Sequence, residues 1–172
     1  MRRNVNKQNL TLPDNQQERL KTIGWIIGFS DGEGCFSVSL FRNKTTKFGW
    51  QVFPEFVVTQ GEKSKNSLEL LNKFFRSGKI YINKRNDNHK ENIYRYCIRS
   101  RKELSEIIIP FFKKNRLRTA KEEDFMIFCK IIEMMNQNAH QKRSGIRKIA
   151  KLIEKMNHKK TSRFLESSET TR

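Results

Sequence analysis

Ile23-Gly24-Trp25-Ile26-Ile27-Gly28-Phe29-Ser30-Asp31-Gly32-Glu33-Gly34 is the segment on which the reading of this chain turns. Gly24, Gly28 and Gly32 recur every four residues, so on a helix they share one face, and the segment ends in two acids, Asp31 and Glu33. An interior helical glycine costs about 0.5–1 kcal/mol relative to alanine, so three on one face call for a reason. A groove that admits a second backbone supplies one. Carboxylates at a helix C-terminus face the negative end of the macrodipole and are disfavoured unless a cation sits nearby. The segment therefore reads as a contact helix that delivers a metal ligand. The plainer alternative is a buried helix closed by a glycine cap at Gly32 or Gly34, with two solvated acids.

The charge balance favours the first reading. Lys and Arg number 36 against 18 Asp and Glu, a net charge of +18 over 172 residues of single-domain size. Such a surface suits a polyanion, and nucleic acid rewards it through counterion release. The longest apolar run, around Ile23 to Phe29, is too short to span a bilayer and no signal peptide opens the chain, so neither membrane nor secretion is expected. Cys35, Cys97 and Cys129 are an odd set without metal-ligand spacing, which points to a reducing compartment with no disulfide framework or zinc site. His89, His140 and His158 lie scattered in polar stretches and read as surface histidines. The polar ends give a flexible arm over 1–13 and a basic tail over 159–172, around one domain over 14–158.

Pro13 and Asp14 open the first helix, with Asp14 as N-cap and Leu20, Ile23, Ile26 and Ile27 as its apolar positions. Alternation from Cys35 to Arg42 predicts a strand, Asn43 to Lys47 a turn, and Gly49 to Gln60 a second strand in which Pro54 marks a bulge or an unpaired position. A helix over Ser64 to Arg76 stops at Gly78. A second hairpin pairs Lys79 to Arg85 with Asn92 to Ser100. Beyond it the chain is helical: Ser100 with Glu103 and Thr119 with Glu122 have capping-box spacing, and Pro110 closes the first helical segment. Phe125, Phe128, Ile131, Ile132 and Met135 form one face, and Ser144 begins a last helix. The class is α+β, in the order αββαββα.

Residues 26–34 resemble the signature nonapeptide of LAGLIDADG homing endonucleases, and the order of elements is similar to that family's αββαββα fold. Val58-Thr59-Gln60 resembles the end of the family's second strand, Leu117 to Phe125 with Lys121 its stretch ahead of a late helix, and Glu133 to Met156 its C-terminal helices. The resemblance implies a curved antiparallel sheet with helices on one face. It also implies that two signature helices pack across a twofold axis through Gly24, Ile27, Gly28, Asp31 and Gly32, with Asp31 capping or bracing the partner helix. Glu33 then binds divalent metal, Mg2+ or Mn2+. Two such carboxylates side by side would raise each other's pKa without a cation between them, so electrostatics asks for the same ion. Gln60 matches a position that organises solvent near the metal, and Lys121 one beside the scissile phosphate. Ser30, more polar than the usual residue, faces outward or bonds the preceding turn.

A single signature implies a homodimer, and a dimer implies a pseudo-palindromic double-stranded DNA target. With Glu33 toward DNA, alternation puts Cys35, Ser37, Ser39 and Phe41 on the reading face, joined by Gln51, Phe53, Glu55, Val57 and Thr59 if Pro54 keeps the register. Lys79, Tyr81, Asn83, Arg85, Arg95, Cys97 and Arg99 complete it, with Arg42 counted at the strand end. Arginine is favoured for base contact because its fork pairs two acceptors of guanine. Lys63, Lys65, Lys113, Lys114, Arg116, Lys142, Arg143, Lys159 and Lys160 read as backbone contacts, or simply as a solvated face. The implied function is intron-encoded, site-specific DNA cleavage. The alternatives are a maturase that binds intron RNA, a non-cleaving DNA-binding protein of the same fold, and a generic basic protein without sequence preference. The family's usual homes imply an organelle, mitochondrion or chloroplast, or a bacterial cytoplasm.

Overall fold

Alternating apolar and polar residues on both sides of one basic turn build half of a four-stranded antiparallel sheet. The structure is a computed structural model that describes residues 12–84 and 91–156. Helix α1 (Leu12–Glu33) passes without a loop into β1 (Gly34–Arg42), and β2 (Trp50–Gly61) returns beside it. Next come α2 (Lys65–Phe75), β3 (Lys79–Asn83) and β4 (Ile93–Ile98). The second half is helical: α3 (Arg101–Glu103) runs through a π-helical stretch, Leu104–Ile108, into α4 (Ile109–Lys114), followed by α5 (Lys121–Asn136) and α6 (Arg143–Ile153). The strand order is β1-β2-β4-β3 with every pair antiparallel. The α+β class and the order of elements are those the sequence predicts.

One face of the sheet is apolar and carries the core. Phe36, Val38, Val52, Phe56, Val58, Tyr96 and Ile98 are buried against Leu68 and Leu71 of α2, Phe112 of α4, and Phe125, Phe128 and Ile132 of α5. Phe36 is the hub, with ring centroids 5.0 Å from Phe56, 5.2 Å from Phe112, 4.9 Å from Phe125 and 5.5 Å from Phe128. Burying each such ring contributes about 1.5–3 kcal/mol, which ties the helical layer to this side and leaves the other face open.

Pro54 introduces no bulge: Val38 pairs Pro54 between the Ser37–Glu55 and Ser39–Phe53 pairs. β4 pairs β2 only from Phe56 onward, so Pro54 sits where β2 has a strand partner on one side alone, a position that tolerates a missing donor. Pro110 does not close its helix. The Ile109 N–H reaches Leu104 O, five residues back. This wide turn accommodates a residue that lacks a donor and would otherwise press on the carbonyl four residues before it. The left-handed residue ending α2 is Arg76 (φ 50°) rather than Gly78, while Gly78 (φ 83°) is required because a Cβ there would lie 2.6 Å from Ile98 Cγ1. Since α1 begins at Leu12, Asp14 lies within its first turn instead of capping it.

Ser100 caps as expected, accepting from the Glu103 N–H at 3.4 Å. No disulfide joins the three cysteines, and burial raises the pKa of each thiol, that of Cys129 to about 11. His140 is not a surface histidine: it is half-buried, its Nδ1 is buried without a hydrogen-bond partner, and burial with the Arg101 charge lowers its pKa. Arg85, His89, His158, Lys159 and Lys160, with most of the expected arm and all of the tail, lie outside the described residues. Among the described residues no helix is long and apolar enough to cross a membrane.

Candidate active site and nucleic-acid face

The junction of α1 and β1 is held by the chain's own second half. Neither Gly32 nor Gly34 adopts a left-handed conformation, so no glycine cap ends α1. Lys121, the first residue of α5, does that work: its Nζ donates to Ser30 O at 3.2 Å and to Gly32 O at 3.1 Å. A cation thus satisfies orphan carbonyls at the negative end of the macrodipole. Gly34 is fixed by space, because a Cβ there would come within 2.7 Å of Ser30 O. Ser30 is fully buried and its hydroxyl has no hydrogen-bond partner, so it neither faces outward nor bonds the preceding turn.

Asp31 is engaged within its own protomer. Its carboxylate accepts from the Arg118 N–H at 2.8 Å, the Thr119 N–H at 3.3 Å and the Thr119 hydroxyl at 2.6 Å. Both oxygens close the loop ahead of α5, a role within the protomer that the sequence does not signal. The same bond alters the expected capping box, since the Thr119 hydroxyl goes to Asp31 while Glu122 accepts from the Leu117 N–H and Arg116. Partial burial pulls the Asp31 pKa upward, but the Thr119 and Arg118 hydrogen bonds and the Lys121 charge outweigh it and hold the carboxyl below its ordinary value. A depressed folded-state pKa stabilises the protein above the unfolded value and loses that stabilisation as pH falls through the folded one. Asp31→Ala is therefore expected to lower stability by about 1–2 kcal/mol at pH 7 in urea unfolding, with a difference that shrinks as pH falls below the ordinary aspartate value of about 3.9. An unchanged difference across that range would show that the charge contributes nothing.

Glu33 is exposed at the end of α1, immediately before the strand whose Gly34 pairs Val58. Lys121 is drawn to the same end through the Gly32 carbonyl. Gln60 is not part of that network: it lies opposite Tyr94 with the parity of Phe56 and Val58, the core-side row, at the strand's end.

On the open face the expected rows form. Cys35, Val57, Cys97 and Lys79 lie in register across all four strands, and Thr59, Arg95 and Tyr81 form the next row. Val57 and Cys97 are buried and make the floor, while Ser39, Thr59, Lys79, Tyr81, Asn83 and Arg99 stand exposed. Gln51 is tied to the β1–β2 turn by Asn43 Nδ2 at 2.6 Å. Arg42 is a correction. It pairs Trp50, has the parity of the helix-side row, and lays its guanidinium 5.0 Å from the Trp50 ring. Lys113 lines a cavity of about 750 Å3 among α4, α5 and α6 with Lys130 and Lys155, on the helical side rather than the open face. The bond sequence reasoning missed is between Glu55 and the two arginines, Arg95 at 3.2 Å and Arg99 at 3.0 Å.

Magnesium takes hard oxygen ligands and accepts one or two carboxylates beside waters and phosphate. Glu33 fits that chemistry as one such ligand. Among the described residues no group of three or more His, Cys, Asp or Glu side chains is placed to hold a metal ion together.

The model of the LAGLIDADG endonuclease family matches residues 26–132, from the signature at the end of α1 into α5. This chain belongs to the LAGLIDADG endonuclease family. It is 35% identical over 125 residues to the probable intron-encoded endonuclease 2 of Neurospora crassa, a match covering 73% of the chain but only 27% of that relative's length. The crystal structure of the homing endonuclease I-TnaI superposes with a TM-score of 0.75 at 37% identity, covering 87% of this chain and 97% of that one. The LAGLIDADG chain also resembles I-SmaMI bound to an uncleaved DNA target in the presence of calcium ions, with a TM-score of 0.76 and 35% identity over 86% of this chain and 48% of that one.

Proposed function

We propose that this protein is a site-specific homing endonuclease that hydrolyses both strands of a pseudo-palindromic double-stranded DNA as a homodimer, with Mg2+ or Mn2+. The observation that carries this reading is the α1–β1 junction: an exposed Glu33 at a helix end whose carbonyls are held by Lys121, beside the open face of a basic sheet. A divalent ion held by Glu33 would polarise the phosphate and lower the pKa of a bound water. The chain's own residues do the rest. The open face orients the duplex, and the Lys121 ammonium adds positive charge beside Glu33. Gly24, Ile27, Gly28 and Gly32 form the contact with the partner's signature helix, which supplies the second carboxylate.

That the curated relative is intron-encoded supports a gene within an organellar intron, and the calcium ions with I-SmaMI support a divalent ion here. The experiment is selection from a randomised palindrome library on a plasmid. We expect linearised plasmid in Mg2+, none in EDTA, and one recovered pseudo-palindromic sequence. Binding to intron RNA without a cut in any plasmid overturns the nuclease reading in favour of a maturase. Salt-sensitive binding without sequence preference overturns both.

A further inference from the structure

Glu55 lies mid-strand in β2, on the open face, opposite Ser37 of β1. Its side chain is only 14% exposed, and each oxygen takes one arginine: Oε1 accepts from Arg95 Nη2 at 3.2 Å and Oε2 from Arg99 Nε at 3.0 Å. Arg99 is held further by two rings, its guanidinium carbon 4.8 Å from the Tyr81 centroid and 5.5 Å from that of Phe53, while its Nη2 meets Cys97 Sγ at 3.8 Å. A long side chain pinned this way loses its rotamer freedom before any ligand arrives. With Nε on Glu55 and one Nη2 hydrogen on Cys97 Sγ, Arg99 keeps both Nη1 hydrogens and the second Nη2 hydrogen, enough for the two-donor edge whose spacing matches N7 and O6 of guanine. Arg95, bonded through Nη2 alone, also keeps a two-donor edge.

A carboxylate in this place works against general affinity for DNA, because its charge repels phosphates and cancels one of the arginines beside it. Nor does it contribute much as a surface ion pair, since such pairs at partly exposed sites stabilise folds little. Its effect falls on direction: it fixes two forks where a base edge can meet them.

We propose that Glu55 is a positioning residue that presets Arg95 and Arg99 to read two guanines in each half-site through the major groove. This rests on the DNA-reading role of the sheet. Glu55 itself touches no base; it acts through the arginines.

The test uses the full chain, wild type, Glu55→Gln and Arg99→Lys, each checked for an unchanged thermal melt. Binding is measured in Ca2+ on sequences selected from a randomised palindrome, and on the same DNA with 7-deazaguanine, which lacks N7, at each guanine. We expect wild type to select guanine at two positions per half-site, and 7-deazaguanine at either to weaken binding about 10-fold. Glu55→Gln should bind unselected DNA at least as tightly as wild type while losing both guanine preferences together, and Arg99→Lys should lose one. A merely structural Glu55 would shift the melt and leave base preference unmoved. Retention of both preferences in Glu55→Gln, or wild-type binding that ignores 7-deazaguanine, overturns the proposal alone. Wild type without any preferred sequence overturns the reading face and the proposal with it. If Glu55→Gln fails to fold, Arg99→Lys with 7-deazaguanine still decides: two retained preferences there overturn the proposal.

Discussion

Glu33→Gln is expected to lower the rate of plasmid cleavage at least about 100-fold in Mg2+, because it removes a charged ligand from the ion that stabilises the reacting phosphate. Binding of the same DNA in Ca2+ should persist. Glu33 is well suited to this test. It is exposed, and no hydrogen bond or ion pair to another described residue involves it, so the amide takes its place without disturbing the protomer. Lys121 is a poorer probe, because its Nζ ends α1 through Ser30 and Gly32, and its loss would mix a folding effect with a chemical one. The measurement is linearisation against time, with affinity by titration on the same DNA. Cleavage by Glu33→Gln at the wild-type rate would remove Glu33 from the chemistry and leave the proposed mechanism without its metal ligand.

The face of the sheet was legible because period-2 alternation is local. Ser37 and Ser39, Glu55 and Thr59, Arg95 and Arg99 could each be assigned a side by counting within one strand, and Pro54 did not break the count. What those residues bond to was not legible. Glu55 meets Arg95 and Arg99 only because β4 pairs with β2, forty residues or more along the chain. The same limit explains Asp31. A carboxylate one turn from a helix end has no local signal saying that its acceptors will be filled by Arg118 and Thr119, 87 and 88 residues away. Arg42 was misplaced for a different reason: charge argued for DNA, whereas parity and the Trp50 ring decided its side. The π-helical stretch ahead of Pro110 is a tertiary solution to a local conflict, since Leu104, Ile108 and Phe112 must all reach the core on either side of a residue that breaks ordinary helices.

Gly28→Leu should separate the two halves of the proposed function, by breaking the dimer while leaving the protomer at least as stable. A Cβ built at Gly24, Gly28 or Gly32 meets nothing within 4 Å beyond its chain neighbours and the backbone of its own helix, so no packing among the described residues requires glycine there. Each glycine costs its helix about 0.5–1 kcal/mol relative to residues such as alanine or leucine, and the substitution recovers most of that. The face is also apolar where the glycines leave gaps: Leu20 is 60% exposed and Ile27 half-buried. A second helix approaching through these gaps accounts for both facts. Forcing a leucine into such a contact costs roughly 1–3 kcal/mol, and a twofold axis applies it twice, so association should weaken roughly 30-fold to more than 1,000-fold. The checks are sedimentation across a range of concentrations and a thermal melt at a concentration where both proteins are protomers. The expected result is a Gly28→Leu protein that sediments as a single copy, melts no lower than wild type, and has lost double-strand cleavage because its Glu33 no longer meets a partner's. A Gly28→Leu protein that still pairs and still cuts would place the twofold contact elsewhere on the molecule, and with it the second carboxylate.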